Sequence, residues 1–231
     1  MELFDAVKKR RSIRKYSQEK FPDELVRQAF EAAILAPNSS NTQTWDFFWI
    51  KSSEMKQKVT EICMNQSAAR TANHLVVVTA DPKRWQRSQA PLLKWVEDCK
   101  APNQVQLYYR KLIPLLYRWG FLNSWALVKW LSSFVTGIFR PIMRGPSTKR
   151  DLQEVAIKSA ALASENFVLA ITALGGATCM MEGFDEWRMK WALRLPLSAR
   201  VVMVISVGYE GERATWGPQF RLPLSEVLHE V

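Results

Sequence analysis

Arg10, Arg11, Ser12 and Arg14 place three guanidinium forks and a hydroxyl within five residues. That grouping suits a phosphate or another anionic ligand, because a planar guanidinium can meet two anionic oxygens at once. A solvated basic face would read the same way. Pro37-Asn38-Ser39-Ser40-Asn41 is a second concentration of polar groups, and it reads equally as a bare loop. The run Met181-Glu182-Gly183-Phe184-Asp185 reads as a turn. No Ser-His-Asp or paired-carboxylate arrangement stands out. The two histidines, His74 ahead of a strand and His229 in the tail, read as structural. Three cysteines, Cys63, Cys99 and Cys179, are an odd number without paired spacing. They oppose a disulfide framework and a zinc site, so no metal is expected and a reducing, cytoplasmic setting fits.

These residues need elements to hold them. Leu3, Phe4 and Val7 predict a short helix that runs into the basic string Lys8 to Lys15. A second helix is predicted from Pro22 to Leu35, with Asp23 and Glu24 at its positive end and Leu25, Ala29, Ala32 and Ala33 as its core face. Pro37 to Asn41 stops it. Trp45 to Lys51 predicts a strand, Leu75 to Ala80 a buried strand, and Glu54 to Gln66 a helix between them. Asp151 to Leu174 predicts a long helix with small residues at Ala156, Ala160, Ala163 and Ala170, ended by Gly175-Gly176. Cys179 to Asp185 reads as a turn region, Glu186 to Leu193 as a short helix and Arg200 to Gly208 as a buried strand. Leu222 to Val231 reads as a short helix or extended arm. Helices and strands therefore mix throughout, in an α+β or α/β class.

The chain has 231 residues, 48% hydrophobic and 23% charged, which excludes disordered and collagen-like classes. Its 32 Lys and Arg against 22 Asp and Glu give a net charge of +10. The excess is local. Cys99 to Arg150 holds nine basic residues and no acidic one, and the remaining chain is almost neutral. The amino terminus has a basic cluster with no apolar run behind it, so it does not read as a secretory signal.

Several segments, in order, resemble the FMN-dependent nitroreductase family. They are Arg10-Arg11-Ser12-Ile13-Arg14, then Ala36 to Phe47 (Ala-Pro-Asn-Ser-Ser-Asn-Thr-Gln-Thr-Trp-Asp-Phe), and Asn65-Gln66 before the Leu75-Val76-Val77-Val78 strand. Leu174 to Asp185 follows, then Gly208-Tyr209-Glu210-Gly211-Glu212-Arg213 and Arg221-Leu222-Pro223-Leu224. The resemblance implies a single α+β domain over 1–231, with a mixed, mainly antiparallel sheet flanked by helices. It also implies a homodimer whose long interface helix is Asp151 to Leu174, with FMN bound between subunits. Arg10, Arg11, Ser12 and Arg14 would then hold the FMN phosphate, the ribityl chain and the pyrimidine edge, and Arg221 would return to the phosphate. Pro37, Asn38, Ser39 and Asn41 would come from the partner subunit, and Asn65 would meet the pyrimidine edge. Met181 would join the binding residues, and the backbone of Glu182 and Gly183 would approach flavin N5 and O4. Gly183 would permit that approach, and a cation such as Arg14 would stabilise negative charge near N1 of a reduced flavin.

Three positions depart from the family's pattern. Gln219 stands where a lysine is common two residues before the carboxyl-proximal arginine, and Arg11 is the candidate substitute. Ala68 replaces a lysine that often contacts the pyrimidine edge, and Met180 replaces a frequent proline.

Residues 100–150 form a basic, apolar insertion expected to be a lid or a membrane-surface segment. Trp119 to Phe139 is a 21-residue apolar run whose one charge is Lys129. A single crossing would put Arg10 and Asn41 on one side of a membrane and Glu182 and Arg221 on the other. Two crossings need roughly 40 apolar residues, more than Leu107 to Met143 offers. Spanning is therefore not expected. On a helical wheel Leu127, Val128, Trp130, Leu131, Phe134, Val135 and Ile138 share one arc, opposite Lys129, Ser132, Ser133 and Thr136. Two readings stay open for 108–143: an in-plane helix on an anionic membrane, with the protein peripheral on its inner face, or a hairpin buried against the core or across the dimer. Nucleic acid is disfavoured because the segment is too apolar for an exposed groove. The expected activity is passage of hydride from NAD(P)H through FMN to a lipophilic aromatic, nitroaromatic or quinone-like acceptor. The alternative is a flavin-binding or membrane-associated protein of the same fold with dehalogenation, oxidation, flavin conversion or no turnover.

Overall fold

Four runs rich in β-branched and aromatic residues pair into one sheet: β1 (Trp45–Ile50), β2 (His74–Ala80), β3 (Ala177–Met181) and β4 (Arg200–Gly208), in the order β1-β2-β4-β3. The computed structural model in which they are seen describes residues 1–118 and 124–231. All pairings between these strands are antiparallel, with Phe48 opposite Val77, Val77 opposite Val204 and Cys179 opposite Ser206. The parallel component is a single bridge from Ser12 to Thr178 at the free edge of β3. The class is α+β, as the sequence implied.

The central strands bury both faces, and their alternation sorts the core into two layers. Leu75 and Val77 of β2 pack with Ile13, Val59, Met181 and Met189, while Val76 and Val78 face the other way, toward Ala160, Ala163 and Phe167. The helices before and around β1 and β2 are α1 (Leu3–Lys9), α2 (Asp23–Ile34), α3 (Ser53–Ile62) and α4 (Ser67–Thr71). After β2 comes α5 (Trp85–Asp98), and the insertion follows as α6 (Asn103–Leu107), a wide helical turn over Tyr108–Leu112, α7 (Ile113–Tyr117) and α8 (Ser124–Phe139). Then come α9 (Lys149–Ala173) and α10 (Glu186–Ala192).

Helix α9 is the spine of the second layer. Its buried Ala156, Ala160 and Ala163 meet Ala29 and Ala33 of α2, so small side chains on both helices allow close approach. Thr148 caps its start, accepting from the Asp151 amide, while Asp151 Oδ2 accepts from the amides of Ser147 and Thr148 at 2.8 and 3.0 Å. Burial pushes the Asp151 carboxyl up, but these donors outweigh it and the group sits below its ordinary pKa. At the far end Gly175 takes φ 86°, and the Gly175 and Gly176 amides return to Thr172 and Ile171 carbonyls. Among described helices, α9 alone has the length and hydropathy of a membrane span, but half of its apolar window is buried in this core.

Some boundaries differ from expectation. The predicted turn over Cys179 to Asp185 begins as strand: Cys179 to Met181 complete β3, and the turn starts at Glu182. The helix predicted to Gln66 stops at Ile62, because Met64 and Asn65 adopt left-handed φ of 58° and 52°. In α2 the fully buried positions are Val26, Ala29 and Ala33, with Leu25 only partly covered. Trp119, the first residue of the apolar run, lies outside the described residues.

Candidate cofactor site

The segment Arg10 to Ser17 leaves α1 as an extended strap along the edge of β3. Ile13 N–H donates to the Thr178 carbonyl at 2.9 Å, Arg14 N–H to Ala214 at 3.0 Å and Ser17 N–H to Tyr209 at 3.0 Å. The strap buries Ile13 and Tyr16 and leaves Arg14 and Lys15 between them exposed. Tyr16 Oη bonds to the Ser206 carbonyl at 3.0 Å and lies 2.8 Å from Ser206 Oγ, which itself donates to the Cys179 carbonyl. Burial pushes the Tyr16 phenol far up, so it holds its proton and acts as an anchor. Gly211 lets the 209–214 loop close over the strap: a Cβ there would lie 2.9 Å from the Tyr16 backbone carbon.

This clamp places four arginines around one cavity. Arg10, Arg11, Ser12, Arg14 and Arg221 line about 170 Å³ together with Gln219 and its neighbours, with no acidic side chain in the lining. Arg10 has Glu165 of α9 only at 4.0 Å. Arg11 Nη2 donates to the Gly217 carbonyl at 2.5 Å and so holds the carboxyl-terminal arm beside the strap. Arg221 donates only locally, to the Phe220 carbonyl at 2.7 Å, and in the orientation that satisfies both ends the Gln219 amide bridges it to the Lys8 carbonyl. Gln219 thus organises Arg221 where a lysine would have added charge. A concentrated cationic lining with fork geometry and almost no internal neutralisation fits a dianionic phosphate.

Arg14 also lines a second cavity, of about 400 Å³, with Lys15, Gln66, Ser67, Ala68, Cys179, Arg213 and Trp216. Its guanidinium lies 5.5 Å from the Trp216 ring centroid, a cation–π contact that fixes the shared wall. Gln66 Nε2 donates to the Gly183 carbonyl at 2.6 Å, tying the turn after β3 to the start of α4. Cys179 is no nucleophile here: burial pushes its thiol up, more than Arg14, Ser12 and Arg10 pull it down. The Cys63 thiol is pushed up to about 11 by burial.

The expected residues divide. Arg10, Arg11, Ser12, Arg14 and Arg221 come together, with Gly183 joined to their neighbourhood through Gln66. Asn65 does not line either cavity; its left-handed backbone turns it to solvent and presents Gln66 instead. Met181 points into the core, leaving only its backbone for a ligand, and Glu182 is exposed. At Gly183 an added Cβ would meet Gln66 Nε2 at 2.9 Å, so this glycine first makes room for that amide. Pro37, Asn38 and Ser39 line a separate cavity of about 370 Å³ with Val155, Lys158, Ser159 and Leu162 of α9, and Asn41 is exposed nearby in sequence. Trp216 had no signal in the sequence, being one aromatic in an exposed arm. His74 is structural, its Nε2 2.7 Å from the Phe21 carbonyl, and burial lowers its pKa.

The nitroreductase family model matches residues 7–209. Protein DrgA of Synechocystis sp. is 29% identical over 99% of this chain and 95% of its own length. An NADH dehydrogenase of Thermus thermophilus is 24% identical over 96% of this chain and 93% of its own. A nitroreductase-type protein of Exiguobacterium sibiricum, solved in complex with FMN, matches with a TM-score of 0.74 at 23% identity, covering 100% of this chain and 98% of that one.

Proposed function

The chain belongs to the nitroreductase family, and from that premise we propose that it is an FMN-dependent oxidoreductase taking hydride from NAD(P)H and reducing a lipophilic aromatic, nitroaromatic or quinone-like acceptor. The observation that carries the reading is the acid-free, four-arginine cavity sharing Arg14 with a larger one. The FMN-bound structural neighbour and the NADH dehydrogenase relative support the choice of cofactor and co-substrate. When bound, FMN would supply the hydride and electron transfer chemistry.

The residues of the chain supply binding and electrostatics. Arg10, Arg14 and Arg221 would hold the phosphate by charge-assisted hydrogen bonds, with Ser12 contributing its hydroxyl, and Arg11 would keep the arm in place around it. Arg14, at the shared wall, is positioned to favour negative charge on a ring seated in the larger cavity. Gln66 fixes the Glu182-Gly183 backbone, the proposed edge for N5 and O4. We further propose a homodimer. The Ser39 amide lies 3.4 Å from Ser159 Oγ and Arg10 lies near Glu165, so α9 carries both groups on different flanks. A second copy packed along α9 would bring its Pro37, Asn38, Ser39 and Asn41 to this chain's flavin. Three free cysteines suit a cytoplasmic setting.

The test is optical. Purified protein, reconstituted with FMN, is expected to be yellow, to bleach with NADH or NADPH under anaerobic conditions, and to recolour on adding a water-soluble quinone or nitroaromatic. Protein that takes up no FMN, or holds it without bleaching, overturns the reading.

A further inference from the structure

Helix α8 carries a sharp division of side chains, and the fold seats it with the polar side inward. Lys129 is half-buried and its ammonium donates to the Leu116 carbonyl at 2.8 Å. Ser133 and Thr136 are also half-covered, and Arg144 folds back to donate to the Gly137 carbonyl at 3.2 Å. Burial lowers the Lys129 pKa, with Asp151 opposing it weakly from α9. The apolar arc is left outside. Leu127, Trp130, Leu131, Phe134 and Ile138 are between 48% and 68% exposed, and Trp130 and Phe134 stack on one another at 5.5 Å. Spacing i, i+3, i+4, i+7, i+11 makes these five one continuous stripe. A water-facing stripe of this kind marks an interaction surface.

The charges around it select the partner. From Cys99 to Arg150 no acidic residue occurs. Arg118 stands at the end of α7 and Arg140 just after α8, both exposed, and neither has an acidic partner among the described residues. Two copies pairing stripe to stripe would set these basic ends against one another with no carboxylate from the segment to separate them. An anionic lipid surface supplies the missing countercharge, and a helix with an apolar face, flanking arginines and a tryptophan suits the headgroup boundary. The bond from Lys129 to the Leu116 carbonyl holds the polar side of α8 against the fold, so the helix presents its stripe sideways, as an in-plane helix does.

We propose that α8 docks the protein on an anionic membrane surface, its Leu127 to Ile138 stripe entering the headgroup boundary and Arg118 and Arg140 meeting lipid phosphates. The surface does not depend on flavin chemistry. The full-length protein, with and without FMN, is co-sedimented with phosphatidylcholine vesicles and with vesicles in which about a third of the lipid is phosphatidylglycerol. Binding is expected only to the anionic vesicles, and about a ten-fold or larger loss is expected for the triple variant Trp130→Ser/Phe134→Ser/Ile138→Ser and for Arg118→Glu/Arg140→Glu. Because all five side chains are exposed, the variants should keep their FMN-dependent bleaching, which separates docking from the flavin reading. Wild-type protein that stays in solution with anionic vesicles overturns the proposal, as does a triple variant that binds like wild type. Light scattering that shows the triple variant losing a subunit, with no vesicle binding by wild type, assigns the stripe to a chain–chain contact and also overturns it.

Discussion

Arg221→Ala is the substitution that most directly separates phosphate binding from the rest of the flavin site. Arg221 lines the cationic cavity, is exposed, and donates only to its chain neighbours, the Phe220 carbonyl and the Gln219 amide oxygen. Its loss should leave the fold within about 0.5 kcal/mol, the range of surface changes that touch no special feature. A charge-assisted hydrogen bond to a phosphate contributes about 1.5–3 kcal/mol, and exposure favours the lower end because water screens the pair. The three remaining arginines keep the site cationic. FMN affinity should therefore fall about ten-fold, since about 1.4 kcal/mol corresponds to a factor of ten. The assay is quenching of flavin fluorescence on titration with protein, run with FMN and with riboflavin, which lacks the phosphate. Riboflavin affinity should not change. An unchanged FMN affinity, or an equal loss for riboflavin, would refute the assignment of this cavity to phosphate. Arg11 is a poorer probe, because its bond to the Gly217 carbonyl means that removing it also releases the arm.

Two further outcomes test the framework around the site. Gly176→Ala should destabilise the protein by about 1–3 kcal/mol, because the added Cβ falls 2.6 Å from Phe21 Cε2 and 2.7 Å from Ile171 Cγ2, both in the packed core; a thermal midpoint equal to wild type would show that these side chains can give way. Stability should also fall on acidification below about pH 6.5, because burial lowers the His74 pKa below that of the unfolded chain. In that window the unfolded state binds the extra proton, so the loss grows as pH drops through the folded value. Midpoints measured between about pH 7 and pH 5 should therefore fall more steeply for wild type than for His74→Gln, and parallel slopes would contradict the assignment.

The parts of the fold that sequence made plain are those where one local signal met no competitor. The small-residue periodicity of α9 and its Gly175-Gly176 stop are examples, since a helix needs its spacing and its end needs a residue that tolerates positive φ. The start of the turn after β3 was hidden because Cys179 to Met181 take their strand geometry from pairing with β4, far along the chain. Asn65 and Gln66 are neighbours, and only the left-handed backbone at Met64 and Asn65 decides which side chain reaches the cavity. The α8 wheel correctly divides two faces but cannot say which one faces the protein. Within this chain the apolar face is not buried against the core, which was one part of the buried-hairpin reading, burial across a dimer being the other. Carbonyl groups at the end of α7 need a donor, and Lys129 provides it, turning the polar side inward.

That inverted helix is not isolated from the loop proposed to serve the flavin. Trp85, Ile113, Tyr117 and Leu152 form a small core of their own, which fastens the insertion to the start of α9. From the same unit, Tyr108 Oη lies 2.5 Å from Ser40 Oγ and Tyr117 Oη 3.3 Å from Thr42 Oγ1, while Ser88 Oγ donates to the Thr42 carbonyl at 2.7 Å. The loop from Pro37 to Gln43 is thus held on one side by the insertion and on the other by α9, through Ser159. Ser40, Asn41 and Gln43 within it all have positive φ, a conformation that non-glycine residues keep only when their surroundings enforce it. Burial pushes the Tyr117 phenol up, so its proton stays available for that contact. The insertion and α5 therefore brace a strained loop through two tyrosine hydroxyls and Ser88. Under the homodimer proposal, that loop belongs to the partner's flavin site, so the insertion of one subunit braces the cofactor site of the other.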